Sequence, residues 1–116
     1  MKIQNLEPAD VARWLKEDAV VLIDVREPAE YAAERIQGAL LFPLSTFDPH
    51  ALPESGKRQI VFLCGSGMRS ATALMKCQDA GLGHDNHMKG GLKGWKAAGL
   101  PVIGIDPATG LMRETR

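Results

Sequence analysis

Residues 60–70 read Ile60-Val61-Phe62-Leu63-Cys64-Gly65-Ser66-Gly67-Met68-Arg69-Ser70. Four apolar residues run directly into Cys64, and two glycines follow within the next three positions. An alanine-rich segment then begins at Ser70. This order predicts a buried strand over 59–63, a tight glycine-rich loop and a helix over about 69–80.

Cys64 is therefore expected at the carboxyl end of a strand, which is where open α/β sheets bind their ligands. The loop amides and the positive end of the following helix should converge on this point. Such a setting lowers the pKa of a thiol below the value of about 8.5 for a free one, and the thiolate is the reactive form. The sequence thus predicts a nucleophilic cysteine in an anion-binding cradle. The alternative is a cysteine buried only for packing.

Composition indicates a single globular domain with no membrane segment and no nucleic-acid partner. The 116 residues suit one compact domain, and 45% hydrophobic with 24% charged residues is ordinary for a soluble protein. The formal net charge of zero argues against nucleic-acid binding. We expect neither a secretory signal nor a membrane segment, because no apolar run approaches the roughly 18 residues that a span requires. Two cysteines, Cys64 and Cys77, are too few for a disulfide framework, so a reducing, cytoplasmic location is expected.

Strand and helix patterns alternate along the chain, which favours an α/β fold with a mainly parallel sheet. The predicted strands cover 20–23, 39–42, 59–63 and, with a weaker pattern, 86–89. The predicted helices cover 8–17, 28–33, about 69–80 and 91–98. Residues 44–58 are predicted to be a loop with at most one helical turn, and residues 104–116 a loosely held tail.

The loop from Cys64 to Arg69, followed by Ser70, resembles the active loop of the single-domain rhodaneses, a family of sulfurtransferases in which it commonly reads Cys-x-x-Gly-x-Arg-Ser. Three other stretches match the family in the expected order: Asp24-Val25-Arg26-Glu27 with Glu30-Tyr31, Arg35-Ile36-Gln37-Gly38-Ala39, and Gly90-Gly91-Leu92-Lys93-Gly94-Trp95 with its exit Gly99-Leu100-Pro101-Val102. The resemblance covers about residues 4–103. It implies a rhodanese-like, five-stranded mainly parallel sheet with helices on both faces, in a domain over 1–103 followed by the tail over 104–116.

The resemblance also implies a reaction. The Cys64 thiolate would take the outer sulfur of thiosulfate or a related donor, and the resulting persulfide would pass that sulfur to a thiol or to cyanide. Donor binding is expected from the loop that follows Cys64, namely Gly65, Ser66, Gly67, Met68, Arg69 and Ser70. The expected partners are thus a small anionic sulfur donor and a thiol or cyanide acceptor, with no nucleic acid. No metal or organic cofactor is expected, and the sequence indicates no particular oligomeric state.

The charged residues near the loop are candidates for anion binding or for structural pairing. Arg69 is predicted to meet an oxyanion in fork geometry, and the alternative is that it is solvated or braces the helix. Asp24 and Arg26 follow a buried strand, where charges are normally paired, so we expect them to pair or to brace the wall of the site. Arg35 is a candidate partner of Asp24. Glu30 is expected to pair with Arg26 or another basic group.

The remaining cysteine and histidines carry weaker signals. Cys77 lies about two helical turns beyond Ser70, so it is expected to be a core or half-buried thiol. His84 and His87 are three residues apart, but spacing suggests no further ligand, and a metal site is not expected.

Two alternatives to a sulfurtransferase stay open. A cysteine phosphatase or arsenate reductase also holds a cysteine in an anion-binding loop, but such phosphatases use Cys-x5-Arg. Here only four residues separate Cys64 from Arg69. The second alternative is a non-catalytic sulfur carrier or regulatory module of the same fold.

Overall fold

A five-stranded parallel sheet organises the chain, as described by a computed structural model of residues 2–116. The strands of the described chain, numbered in order, are β1 (Gln4–Leu6), β2 (Val20–Asp24), β3 (Glu34–Arg35), β4 (Leu40–Leu41), β5 (Gln59–Leu63), β6 (Asn86–Met88), β7 (Val102–Ile105) and β8 (Met112–Thr115). The helices are α1 (Pro8–Lys16), α2 (Pro28–Ala33), α3 (Met68–Asp79) and α4 (Gly91–Ala97). The parallel sheet has the order β1-β6-β5-β2-β4. The predicted α/β class and the sheet implied by the resemblance are both confirmed.

Strands β2 and β5 form the centre of this sheet. Their register pairs Val20 with Gln59 at one end and Asp24 with Leu63 at the other. Apart from Asp24 at the end of β2 and Gln59 at the start of β5, both strands consist of apolar residues, which is the composition of a strand covered on both faces. Because the two strands end together, Cys64 and the residues after Asp24 emerge at the same edge of the sheet.

Helices cover both faces of the sheet, as the resemblance implies. On one face α1 and α4 pack Val11, Leu92 and Trp95 against the sheet. On the other face α3 packs Ala73, Leu74 and Cys77 in a second apolar cluster. Within residues 2–116, no helix has both the length and the apolar character needed to cross a membrane.

The expectation of a loosely held tail over 104–116 is wrong. Strand β7 pairs antiparallel with β3, and β8 folds back on β7, so the end of the chain forms a hairpin on a small three-stranded sheet. The hairpin forms because 102–105 is an apolar, partly β-branched run followed by turn residues over 106–110. The boundary proposed at residue 103 falls inside β7; the division into domain and tail stays a prediction.

Two other segments differ in detail from the prediction. The strand predicted over 39–42 contracts to Leu40–Leu41, because it pairs with β2 at only two positions. The loop over 44–58 contains two short 3-10 turns, Leu44–Thr46 and Pro49–Ala51, where one at most was expected.

Candidate active site

Cys64 lies where the sequence predicts, directly after β5 and just before the loop that leads into α3. Its sulfur accepts a hydrogen bond from the Gly67 backbone N–H at 3.0 Å and lies 3.6 Å from the Ser70 hydroxyl oxygen. Gly67 has φ 114°, a conformation that favours glycine, and it lets the chain enter α3 directly after the N–H that points at Cys64. The loop therefore wraps its amides around the sulfur, as an anion cradle must.

The surroundings of Cys64 promote the thiolate. Burial by itself raises the pKa of this thiol, since it penalises the charged form. Hydrogen bonds from the backbone and hydroxyl of Ser70 and from the backbones of Gly67 and Ser66 outweigh burial, so the pKa of Cys64 is lowered. Cys64 has no exposed surface, so a substrate reaches its sulfur only if the loop or the adjacent wall moves.

Arg69 is held by Glu30 at the end of the loop. Its two terminal nitrogens donate to the two carboxylate oxygens, Nη1 to Oε1 at 2.6 Å and Nη2 to Oε2 at 3.0 Å. This fork geometry was expected toward a bound oxyanion, but here a side chain of α2 occupies it. The expectation that Glu30 pairs with a basic group is confirmed. The part of Arg69 in donor binding stays a prediction.

Asp24 and Arg26 form a buried pair below the loop. The Arg26 Nη2 atom donates to Asp24 Oδ2 at 2.8 Å, and both side chains are almost completely buried. Arg26 also donates to the backbone carbonyl of Glu34 at 2.7 Å. The expected structural pairing is therefore present, and it ties the end of β2 to the segment after α2.

Arg35 does not join this group. It donates to the backbone carbonyl of Tyr31 at 3.2 Å and lies over the Tyr31 ring, 4.9 Å from its centroid. The expectation that Arg35 is a candidate partner of Asp24 is wrong, because Arg26, two residues away, already takes both oxygens of that carboxylate.

The first turn of α4 is hydrogen-bonded to the backbone at the start of the loop. The Leu92 N–H donates to the Cys64 carbonyl at 2.7 Å, and the Lys93 N–H donates to the Gly65 carbonyl at 3.1 Å. Gly91 makes this approach feasible, since a Cβ there would lie only 2.7 Å from the Gly65 carbonyl carbon. The sequence placed Gly91 in the family motif without indicating this contact.

A cleft of about 290 Å³ opens beside Gly65, with Arg26, Glu30, Glu34, Leu92, Lys93 and Lys96 as its other lining residues. Most of its charged side chains are already paired: Arg26 with Asp24, Glu30 with Arg69, and Glu34 with Lys96. Within residues 2–116, Lys93 has no carboxylate in salt-bridge distance. Lys93 is thus a cation beside the loop that sequence reasoning missed; its position in α4, two residues after the Gly90-Gly91 pair, was the available signal.

The other candidate groups lie elsewhere. A larger cavity of about 640 Å³ lies between α1 and the segment after α4, and its lining includes no residue of the Cys64 loop.

Cys77 is a free, buried thiol in α3, and burial raises its pKa to about 11. The part of the chain that the structure describes has no cluster of three or more side chains suited to hold a metal ion. Its spacing from His84 marks His87 only as a possible metal ligand, but the His87 ring contacts Ser70.

Comparisons with known proteins agree with this geometry. Residues 7–98 match the model of the rhodanese-like domain. An uncharacterized protein of Synechocystis is 40% identical over 99 residues, which cover 85% of this chain and 55% of that protein. A protein of Allochromatium vinosum named sulfurtransferase is 36% identical over 85 residues, covering 72% of this chain and 78% of its own length.

A solved structure is also similar to this chain. The thiosulfate sulfurtransferase of Pseudomonas aeruginosa superimposes with a TM-score of 0.73 at 31% identity, over 87% of this chain and 19% of that one. Because the domain match covers most of the chain, the chain belongs to the rhodanese-like family.

Proposed function

We propose that this chain is a sulfurtransferase that carries sulfur as a persulfide on Cys64, taking it from thiosulfate or a related donor and passing it to a thiophilic acceptor. The observation that carries the proposal is the cradle around the Cys64 sulfur, in which the loop amides and the Ser70 hydroxyl lower the pKa of the thiol. The family membership and the sulfurtransferase name of the Allochromatium relative support a role of this kind.

The first half-reaction forms the persulfide. The Cys64 thiolate attacks the outer sulfur of thiosulfate and forms a sulfur–sulfur bond. The bond between that outer sulfur and the sulfonate sulfur breaks, and its electron pair leaves with sulfite. The N–H groups that stabilise the thiolate are then placed to stabilise the anionic persulfide as well.

The second half-reaction restores the thiolate. An acceptor nucleophile attacks the terminal sulfur, and the bond to the Cys64 sulfur breaks with its electron pair returning to Cys64. Thiosulfate as donor is supported by the likeness to the Pseudomonas thiosulfate sulfurtransferase. The chain spans 55% of the length of its Synechocystis relative. We therefore treat the identity of the acceptor, any protein partner and the activity of a larger protein as proposals too.

The cleft beside Gly65 is the proposed entry for the donor. It leads to the loop backbone, and Lys93 adds a cation to a lining whose other charges are mostly paired. A doubly charged anion such as thiosulfate is attracted to a positive group of this kind. Displacement of the glycine-rich loop would open the path from this cleft to the sulfur.

The test is an intact-mass measurement after exposure to thiosulfate. The wild-type chain should gain the mass of one sulfur atom, Cys64→Ser should gain none, and Cys77→Ser should gain the same mass as wild type. A thiosulfate:cyanide assay on the same three proteins then separates a turning-over enzyme from a sulfur carrier. Sulfur found on Cys77, or no mass gain on a folded wild-type chain, would contradict the proposal.

A further inference from the structure

A line of hydrogen-bonding groups runs from the Cys64 sulfur to the surface of the protein. The sulfur lies 3.6 Å from the Ser70 Oγ atom, and Ser70 Oγ lies 2.8 Å from His87 Nδ1. On the far side of the ring, His87 Nε2 lies 2.6 Å from Asn5 Oδ1. The three side chains beyond Cys64 come from α3, β6 and β1, so the sheet order brings them together.

The chemistry of these atoms fixes the direction of the hydrogen bonds. Asn5 Oδ1 can only accept, so His87 Nε2 carries the ring proton. His87 Nδ1 is then free to accept the Ser70 hydroxyl proton. The carbonyl of Gly67 is a second acceptor for that proton, but at 3.1 Å it is farther away than His87. The Ser70 oxygen can in turn accept the proton of the Cys64 thiol, so every donor in the line has an acceptor.

The inner part of the line is shielded from water and from other charges. Cys64 and Ser70 have no exposed surface, His87 is 6% exposed, and Asn5 is exposed. In the described part of the chain, only Ser70 and Asn5 form hydrogen bonds with the His87 ring. No charged side chain from α3, β1 or β5 is hydrogen-bonded to it. Burial lowers the pKa of His87, which favours the neutral ring with a free lone pair on Nδ1.

We propose that Ser70 and His87 relay the proton of the Cys64 thiol away from the sulfur, with Asn5 as the residue that holds the His87 ring in the required tautomer. The inference rests on the proposed function only in taking Cys64 as the nucleophile. His87 and Asn5 are positioning residues here, since both act on Cys64 through Ser70.

The proton transfer balances without any other reactant. The thiol proton moves to Ser70 Oγ as the Ser70 hydroxyl proton moves to His87 Nδ1, which leaves a thiolate and an imidazolium. The Ser70 hydroxyl then donates to the thiolate, and His87 donates to Ser70 from Nδ1 and to Asn5 from Nε2.

The test measures the reactivity of Cys64 rather than sulfur transfer. In a Cys77→Ser background, the rate of alkylation by iodoacetamide is followed against pH, and the midpoint of the profile reports the Cys64 thiolate. His87→Gln, which keeps a polar side chain but cannot take a proton, should move the midpoint upward and slow alkylation at neutral pH about tenfold, equal to about one pKa unit. His84→Gln is the matched control and should leave the midpoint unchanged.

A second variant protects the test against misfolding. Asn5→Asp changes an exposed residue and puts a carboxylate against His87 Nε2, which favours the imidazolium. It should move the midpoint of Cys64 downward, so that alkylation persists to lower pH. An unchanged midpoint in Asn5→Asp, or in folded His87→Gln, would overturn the relay. Shifted midpoints in a protein that transfers no sulfur would support the relay and contradict the sulfurtransferase proposal instead.

Discussion

Arg69 and Glu30 face each other as a two-point ion pair, with nitrogen–oxygen distances of 2.6 and 3.0 Å. The pair joins the first turn of α3 to α2. Glu30→Gln tests whether Arg69 acts through this pair. If Arg69 braces the loop, Glu30→Gln should lower kcat/KM for thiosulfate about as much as Arg69→Ala, because either change releases the loop.

The opposite result has a distinct meaning. If Arg69 instead binds the donor, removing the competing carboxylate should leave KM for thiosulfate unchanged or lower, while Arg69→Ala raises it. Thermal unfolding of both variants serves as the control, since a large loss of stability would move both kinetic constants for an unrelated reason.

The same pair predicts an acid dependence of stability. Hydrogen bonds from Arg69 lower the pKa of Glu30 from 4.5 to about 2. A lowered pKa in the folded state stabilises the protein above the unfolded value, and this contribution disappears as the pH falls from about 4.5 toward 2. Wild type should therefore be more stable than Glu30→Gln at neutral pH and lose the difference in acid. The difference should be small, at most about 1 kcal/mol, because both side chains are partly exposed. Urea titrations of both proteins at several pH values measure it.

Lys93 should contribute to donor affinity. Lys93→Ala removes the cation beside Gly65, so KM for thiosulfate should rise about fivefold, as expected for an exposed charge contributing up to about 1 kcal/mol. The increase should shrink at high salt, since salt screens exposed charges. Lys76→Ala, which removes an exposed lysine outside the cleft, is the matched control. Equal KM values for wild type and Lys93→Ala at low salt would exclude this role.

Loop length should decide between sulfur and phosphorus chemistry. The four residues between Cys64 and Arg69 form a smaller ring of amides than the five of a cysteine phosphatase. We expect sulfurtransferase activity and no significant aryl-phosphate hydrolysis. One glycine inserted after Gly67 should lower sulfur transfer by about a hundredfold, the usual cost of losing a preorganised donor. Parallel assays with thiosulfate plus cyanide and with an aryl phosphate check this, and efficient phosphate hydrolysis by the natural loop would reverse the assignment.

Gly91 should be far less tolerant of substitution than other glycines with positive φ. Gly91 and Gly56 have similar φ values of 57° and 61°, but only at Gly91 would a Cβ meet the backbone after Cys64. Gly56→Ala should cost about 1–2 kcal/mol from its backbone conformation alone. Gly91→Ala should cost several kcal/mol more, because the loop and α4 must separate. Urea unfolding of the two variants measures the difference in unfolding free energy. Equal losses for the two variants would show that α4 can move away from the loop without cost.

Elements encoded by contiguous residues could be predicted from the sequence. The apolar run before Cys64 and the alanine-rich run after it gave β5 and α3 within about one residue. The same local reasoning was available for the C-terminal hairpin, since the run at 102–105 precedes a turn rich in Asp, Pro and Gly. Its polar composition instead predicts a loosely held tail, and the pairing with β3 has no sequence signal because that partner strand is only two residues long.

Contacts between distant residues could not be predicted in the same way. The motifs placed Arg69 and Glu30 near the site, but which carboxylate reaches which guanidinium depends on how α2 lies against the loop. His87 carries no signal in its own neighbourhood, since its partners Ser70 and Asn5 come from two other elements. Lys93 becomes notable only once the other charges of the cleft are seen to be paired.

The hydrogen bonds from Leu92 and Lys93 to the carbonyls of Cys64 and Gly65 can form only late in protein synthesis. The cysteine and its loop leave the ribosome before α3, β6 and finally α4. Until α4 has emerged, these two carbonyls have no helix to hold them, and the loop lacks one of its two anchors. The hydrogen-bonded setting of the Cys64 thiol is therefore completed only when α4, a late-synthesised part of the domain, has packed against the loop.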